Sequence, residues 1–188
     1  MTQVALCGGS DSDREWVIRA QAGDKTAFEQ LVRRYQRLVV GVAYHQGLDL
    51  AAAEDVAQET FVKAWLALPH FRESAGSLRA WLCRIAINTA IDALRRERPV
   101  QALEEHLPDR NSDPDEQVEA DARVEAVRRA LDQLPSAGRA VLVLREYEGL
   151  SYAEIAAALN IPPGTVMSRL SYARSRLRAL LTEMGEAT

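Results

Sequence analysis

The sequence predicts an all-α fold with two small helical domains, an N-terminal helical bundle and a C-terminal helix-turn-helix domain, joined by a flexible acidic linker. Apolar residues recur at helical spacing, and almost no segment alternates with a period of two, so little or no strand is expected. Between the two helical blocks lies a proline-containing stretch, and residues 99–133 carry ten acidic but only four basic side chains. We expect a disordered tail over 1–12, a first domain over 13–98, a linker over 99–117 and a second domain over 118–188.

The first domain is predicted to contain four helices. The first covers Arg14–Gln21, and Gly23-Asp24 then breaks the chain and caps the next helix. That second helix runs from about Phe28 to Val42 with a strong apolar face, and Gly47 ends it. Two more helices follow: Ala51–Leu68, closed by Pro69, and the long helix Leu78–Arg96, with the polar loop Phe71–Ser77 between them.

The second domain is predicted to begin with helices near Val118–Leu134 and Ser136–Tyr147, followed by a helix-turn-helix over Leu150–Leu181. Ser151 and Glu154 have the spacing of a capping box. Pro162 and Pro163 end one helix and suit the first turn of the next.

The last helix has a core face and a polar, basic face. The core positions are Val166, Leu170, Ala173, Leu177 and Leu181; the positions expected outside or on the flanks are Thr165, Ser168, Arg169, Ser171, Tyr172, Arg174, Ser175, Arg176 and Arg178. Residues 163–181 contain four arginines and no acid. This pattern is typical of a helix that enters the DNA major groove, so duplex DNA is the expected partner. A solvated basic helix in an ordinary bundle is the alternative.

Two further helix faces suggest partners. Trp81, Arg84, Asn88 and Arg95 share one sector of Leu78–Arg96, where a tryptophan beside arginines can stack on unpaired bases and grip phosphates. The alternative is a buried tryptophan anchor beside a solvated basic face. The outer stripe of Ala51–Leu68 is largely acidic (Glu54, Asp55, Gln58, Glu59, Lys63) and suits a protein partner, although such stripes are often merely solvated.

Other classes of function are disfavoured. The net charge of −4 argues against a protein that simply coats nucleic acid. Cys7 and Cys83 have no metal or redox spacing, the three histidines are scattered, and no glycine-rich phosphate loop or nucleophile–histidine pattern is present. We therefore expect no enzyme activity, no metal and no cofactor. Neither a signal peptide nor a membrane span is evident, so a cytoplasmic protein is expected.

Four blocks of the sequence are distinctive: GDKTAFEQLVRRY (23–35), AEDVAQETFVKAW (53–65), GSLRAWLCRIAINTAIDALRRERP (76–99) and LPSAGRAVLVLREYEGLSYAEIAAALNIPPGTVMSRLSYARSRLR (134–178). Taken together, they resemble the compact extracytoplasmic-function (ECF) sigma factors of the sigma-70 family of bacterial RNA polymerase. They cover most of the chain in the family's order.

The resemblance implies a role for each block. It implies that Asp55, Gln58, Glu59 and Phe61 bind the clamp helices of the polymerase β′ subunit, and that the β subunit is a further partner. It assigns Phe71, Arg72, Ser77, Trp81, Arg84, Asn88 and Arg95 to the −10 element, which they would melt and read. It assigns Thr165, Ser168, Arg169, Ser171, Tyr172, Arg174 and Arg176 to the −35 element.

The resemblance also implies regulation. Members of the family are commonly held inactive by an anti-sigma factor, often anchored at the inner membrane, in a stress or envelope response. The chain would then provide promoter choice while polymerase provides the chemistry. An autonomous helix-turn-helix repressor, which binds DNA without polymerase, is the alternative function.

Overall fold

The computed structural model describes residues 10–97 and 116–186. All regular structure in these two ranges is helical, as the sequence predicts. The α-helices are α1 (Ser10–Gln21), α2 (Lys25–His45), α3 (Leu50–Ala67), α4 (Leu78–Glu97), α5 (Glu116–Asp132), α6 (Ser136–Glu146), α7 (Tyr152–Leu159) and α8 (Pro163–Glu186). Short 3-10 turns at Leu68–His70 and Glu73–Ala75 lie between α3 and α4.

Helix α1 begins at Ser10, earlier than the predicted Arg14. Ser10–Ser12 of the expected tail therefore belong to a helix, whereas the rest of that tail, with Cys7, lies outside the described residues. Asp13 fixes this first turn, because it accepts a hydrogen bond from the Tyr35 hydroxyl (2.7 Å) and forms an ion pair with Arg34 (3.3 Å). An acidic side chain near a helix N-terminus also interacts favourably with the helix dipole.

The capping signals read from the sequence are confirmed. The Asp24 carboxylate accepts hydrogen bonds from the backbone N–H groups of Thr26 and Ala27, after Gly23 has turned the chain with φ +94°. In the second block Ser151 and Glu154 form the predicted capping box at the start of α7. Helix α8 starts at Pro163, a position where the missing N–H costs nothing.

The expected linker over 99–117 falls almost entirely outside the described residues. Its last two positions belong to α5, which starts at Glu116 rather than at the predicted Val118 and ends at Asp132 rather than Leu134.

Helices α1–α4 form one bundle and α5–α8 a second, and the two bundles pack against each other through α4 with α7 and α6, and through α2 with α6. A single cluster of buried apolar side chains includes members of both bundles, among them Leu31, Ile87, Leu144, Ile155 and Leu170. Each large side chain buried in this way stabilises the fold by about 1.5–3 kcal/mol. Cys83 belongs to this core. Among the helices of the described ranges, none is long and apolar enough to cross a membrane.

Candidate protein and nucleic-acid interfaces

The outer face of α3 presents most of the residues predicted to bind polymerase. Asp55 and Gln58 are exposed, whereas Glu59 is half-buried in an ion-pair network with Lys63 (2.8 Å) and Arg96 of α4 (3.3 Å). The hydrogen bond from Lys63 lowers the pKa of the Glu59 carboxyl, so this acid stays charged. Lys63 also donates to the Thr89 hydroxyl (3.1 Å), which ties the acidic face to α4.

Phe61 does not belong to this outer face. It is only 9% exposed and packs in the core of the first bundle, so it lies on the inner side of α3 and not beside the exposed Asp55 and Gln58. It lies four residues after the buried Ala57 and three before the buried Ala64, so helical spacing puts the ring on the inner side of the helix with them. The Phe61 ring instead packs in the core and helps to hold α3 in the first bundle.

Two apolar residues that the sequence analysis missed extend the same outer face. Val62 is 60% exposed and Leu66 is 70% exposed. They follow Gln58 at intervals of four residues, so Asp55, Gln58, Val62 and Leu66 form one continuous stripe, which we call the α3 stripe. The regular four-residue spacing was the signal that could have identified them. Exposed large apolar side chains next to charges are a common feature of protein-binding surfaces.

The loop between α3 and α4 brings the residues assigned to the −10 element together. Phe71 is buried (8% exposed), and its ring centroid lies 5.0 Å from that of the half-buried Trp81. Gln21 of α1 donates hydrogen bonds to the carbonyls of Leu68 and Phe71 (both 3.0 Å) and thereby fixes the loop. Arg72 is exposed and donates to the Pro69 and Phe71 carbonyls. A hollow between this loop and α1 is lined by polar and apolar residues of both.

Helix α4 continues this surface. Ser77 caps its N-terminus, since the Ala80 N–H donates to the Ser77 hydroxyl (3.3 Å). Arg84, Asn88 and Arg95 are exposed on the outer side. The sequence left open whether Trp81 is a buried anchor or an exposed stacking group, and the structure places it between the two, packed on Phe71 with one part accessible.

Helix α8 separates its two faces cleanly. The core positions Val166, Leu170 and Ala173 are buried, whereas Ser168, Ser171, Tyr172, Arg174 and Arg176 are exposed and Thr165 and Arg169 are half-buried. Met167, near the start of the helix, is 57% exposed. Arg174 forms an ion pair with Glu146 of α6 (2.5 Å), an acid that the sequence analysis did not connect with it.

The described parts of the chain contain no group of three or more histidine, cysteine, aspartate or glutamate side chains arranged to hold a metal ion.

Residues 31–100 match the sequence profile of Sigma-70 region 2, and residues 124–177 match that of Sigma-70, region 4. The chain is 39% identical to the RNA polymerase sigma-H factor of Pseudomonas aeruginosa over 94% of this chain and 98% of that protein. It is 35% identical to the ECF RNA polymerase sigma-E factor of Escherichia coli over 88% of this chain and 92% of that protein.

Solved structures agree with these matches. The structure of CnrH in complex with the cytosolic domain of CnrY superposes with a TM-score of 0.72 at 32% identity, covering 92% of this chain and 99% of that chain. The sigma factor RpoE in complex with the anti-sigma factor NepR from Bartonella quintana superposes with a TM-score of 0.63 at 29% identity, covering 82% and 96%. The chain belongs to the ECF group of the sigma-70 family, the promoter-selecting subunits of RNA polymerase.

Proposed function

We propose that three separate surfaces of this chain carry out its role as a sigma factor. The α3 stripe binds the polymerase core, the loop Phe71–Ser77 with the outer side of α4 binds the −10 element, and the exposed face of α8 binds the −35 element. One observation carries this assignment: on α3 and α8 the exposed side chains that would bind partners are distinct from the buried side chains that hold the helix.

The α3 stripe suits a protein partner because it combines charge with exposed apolar area. Asp55 offers charge for orientation, and Val62 with Leu66 offers apolar area that leaves water on binding. We assign this stripe to the β′ clamp helices.

The −10 surface suits a single strand rather than a duplex. Trp81 offers a ring face for stacking, and Arg84 and Arg95 offer positive charge for phosphates. The exposed face of α8 suits the major groove, where Arg174 or Arg169 can donate two hydrogen bonds to a guanine and Met167 can contact a thymine methyl.

The proposal extends to organisation and control. Residues 13–98 and 118–188 act as the two DNA-binding domains, and residues 99–117 act as their tether. The chain itself performs no catalysis, binds no cofactor and works in the cytoplasm. An anti-sigma factor controls the chain and holds it at the inner membrane face in some conditions. The similar sigma factor RpoE, solved with the anti-sigma factor NepR, and the similar CnrH, solved with the cytosolic domain of CnrY, support this regulation.

Run-off transcription of fragmented genomic DNA tests the function. Purified core polymerase is assayed with and without the protein. We expect discrete new start sites only when both are present, and their upstream sequences then define the −10 and −35 elements. If no new transcripts appear and the protein alone binds a palindromic duplex tightly, the repressor function replaces the proposed one.

The substitution Leu66→Glu tests the α3 stripe. A charge placed in the exposed apolar end of the stripe should weaken binding to core polymerase by about tenfold or more, as hot-spot substitutions do. Val124→Glu is the matched control. Val124 is a similarly exposed apolar residue (62%) on α5, so this substitution also places a charge at an exposed apolar position, but outside the stripe. If both variants bind core polymerase with equal affinity, the polymerase does not bind the α3 stripe.

A further inference from the structure

Helix α1 supports the loop between α3 and α4 through the side chain of its last residue. Gln21 is half-buried, and its Nε2 atom donates hydrogen bonds to the carbonyls of Leu68 and Phe71, both at 3.0 Å. These acceptors lie 47 and 50 residues further along the chain. A primary amide has two N–H donors, so one serves each carbonyl. Gln21 therefore joins α1 to the loop with the full donor capacity of its side chain.

The two acceptors lie at the two ends of one short turn. The Leu68 carbonyl also accepts a hydrogen bond from the Phe71 N–H (3.0 Å), which closes the 3-10 turn Leu68–His70. The Phe71 carbonyl also accepts from Arg72 Nη1 (2.9 Å). A carbonyl oxygen has two lone pairs, so Gln21 supplies the second donor to each of these acceptors. Because a peptide unit is planar, holding the Phe71 carbonyl also fixes the direction in which the chain continues into Arg72.

Close packing does not hold this part of the loop against α1. Between them lies a hollow of about 340 Å³, with an apolar lining formed by Val17, Ile18, Phe71 and Leu78. Side chains that line a hollow lack packing partners on that side and lose the dispersion contacts that such partners would provide. The position of the loop relative to α1 therefore depends strongly on individual hydrogen bonds.

An ion pair makes a second polar link between α1 and the loop. Arg14 Nε lies 3.6 Å from Glu73 Oε2, and the two side chains are 69% and 60% exposed. Exposed ion pairs contribute little, because water and salt screen the charges and both long side chains lose freedom. Of the two links, the half-buried Gln21 is the one that can define the shape of the loop.

We infer that Gln21 is a positioning residue for recognition of the −10 element. Its amide sets the directions of the Leu68 and Phe71 carbonyls, and these determine where the Phe71 ring and the exposed Arg72 side chain lie when the strand arrives. Gln21 acts through the loop and not by contact with DNA. This inference rests on the proposed function, because it takes the loop to be part of the −10 surface, and it adds α1 to the elements that determine promoter binding.

Preorganisation of the loop is the physical reason for an effect on binding. A loop that samples several shapes binds with an affinity reduced in proportion to the fraction of molecules that have the binding shape. The two hydrogen bonds from Gln21 raise that fraction before DNA is present. Their contribution should appear in the affinity for the −10 strand and not in the affinity for a −35 duplex, which is assigned to α8.

Three substitutions at Gln21 separate hydrogen-bond donation from side-chain shape. Gln21→Met keeps the length of the side chain but has no donor, whereas Gln21→Glu places acceptor oxygens against two carbonyls. Gln21→Lys restores donors through an ammonium group. Each variant is compared with the same substitution at Gln36, an exposed residue of α2, so that changes in net charge cancel.

The measurement is the affinity of holoenzyme, at saturating core polymerase, for a single-stranded oligonucleotide with the −10 sequence found by run-off transcription. Relative to the Gln36 controls, Gln21→Met should weaken binding by about three- to tenfold, Gln21→Glu by more, and Gln21→Lys by less than Gln21→Met. The affinity of the same holoenzymes for a −35 duplex should not change. If Gln21→Met binds the strand as well as Gln36→Met does, or if Gln21→Lys binds no better than Gln21→Met, the inference is overturned.

Arg14→Gln tests whether the exposed ion pair does the same work. It should change the affinity for the −10 strand by less than about twofold. Arg33→Gln, at an exposed position of α2, is the control for the lost positive charge. A loss as large as that in Gln21→Met would mean that α1 positions the loop through charge, which contradicts the role inferred for Gln21.

Hydrogen exchange in the full chain alone distinguishes positioning from general stabilisation. Gln21→Met should speed the exchange of the Phe71 and Gly76 N–H groups, whose acceptors are the Leu68 and Glu73 carbonyls. Amides in the middle of α2 and α6 should keep their exchange rates. An equal acceleration throughout the first bundle, together with a lower midpoint of thermal unfolding, would make Gln21 a general structural residue and overturn the inference. Gln21→Lys provides the same comparison if Gln21→Met does not fold, which circular dichroism detects.

Failure of the inference and failure of the proposed function give different results. If holoenzyme containing the unmodified chain does not bind the −10 strand, the assignment of the loop is wrong and the inference falls with it. If that holoenzyme binds the strand and the Gln21 variants bind it equally well, the proposed function stands and only the role of Gln21 is wrong.

Discussion

The two candidate DNA-binding surfaces are built in different ways. On α8 the exposed residues such as Arg174 point away from the core, and buried residues such as Leu170 hold the helix. In the Phe71–Ser77 loop and α4, the aromatic residues Phe71 and Trp81 belong to both the core and the candidate surface.

This difference teaches where binding and stability can be separated. A duplex-reading helix needs only a rigid support, so side-chain contacts to DNA can change without loss of fold. A surface that captures unstacked bases needs apolar walls, and those walls are part of the hydrophobic core. We therefore expect substitutions on α8 to affect binding alone and substitutions around Phe71 to affect both properties.

The largest effect is expected for Phe71→Ala. Removal of this buried ring should lower the free energy of unfolding by about 3–5 kcal/mol and also weaken binding to the −10 strand. Denaturant unfolding and binding to a single-stranded −10 oligonucleotide measure the two losses. Phe71→Leu should recover much of the stability because it refills part of the space. If the stability of Phe71→Ala is unchanged, binding and stability are as separable at Phe71 as they are on α8.

Arg174→Ala should weaken promoter binding by about 1–3 kcal/mol if Arg174 contacts a base. The midpoint of thermal unfolding should hardly change, because the ion pair with Glu146 is exposed and such pairs contribute little. Binding to duplexes with each −35 base changed in turn is the measurement. A uniform loss across all sequences would instead assign Arg174 to a phosphate.

Ser151→Ala tests the support of α8 rather than its surface. Loss of the capping box should lower the free energy of unfolding by about 1 kcal/mol. Hydrogen exchange should show the increase in opening at the first turn of α7. Ser175→Ala, at an exposed position on α8, serves as the control and should leave exchange unchanged. If the capping box stabilises α7, its loss makes α7, the helix on which α8 packs, fray more often.

The smallest effect concerns pH and the contact between the two domains. Burial lowers the pKa of His45 below 6.5, so the arrangement in which the two domains are in contact (the closed form) favours the neutral ring, which stacks on Tyr147. Its contribution is complete above pH 6.5 and is lost as the pH falls through the lowered pKa. Energy transfer between one dye on the first domain and one on the second should therefore be lower near pH 5.5 than near pH 7.5.

His45→Gln should flatten this dependence. Glu148 acts in the opposite direction, because burial raises its pKa and the closed form gains as the carboxyl takes up a proton. The difference between the unmodified chain and His45→Gln isolates the histidine. An identical pH profile in both would remove His45 from the contact.

Much of the fold follows from local signals in the sequence. The cap at Asp24, the capping box at Ser151 and the proline start of α8 each depend on residues within a few positions, and all three were predicted. The core positions Val166, Leu170 and Ala173 of α8 were predicted for the same reason, because helical spacing fixes which residues share a face. Towards the end of α8 the face turns: Leu177 and Leu181 are half-buried, and Leu180, which was not predicted, is buried.

The site was harder to predict where contacts depend on residues far apart in the sequence. No local pattern indicates that Arg139 donates to the Gln46 carbonyl, since a backbone acceptor looks the same at every position. The pairing of Arg79 with Glu148 depends on how two domains meet, which periodicity does not encode. Burial of Phe61 was indicated by its spacing, but the resemblance to the family suggested a polymerase contact for the whole segment.

The two carboxylate oxygens of Glu154 accept hydrogen bonds from different partners. Oε2 accepts hydrogen bonds from the N–H and the hydroxyl of Ser151, while Oε1 accepts the longer bond from Ser77 of the other domain. Separation of the domains therefore breaks a bond that the helix-turn-helix does not need for its own order. The contact between the domains and the start of α7 therefore depend on different oxygens of one carboxylate, so Ser77→Ala would remove the first and leave the capping box in place.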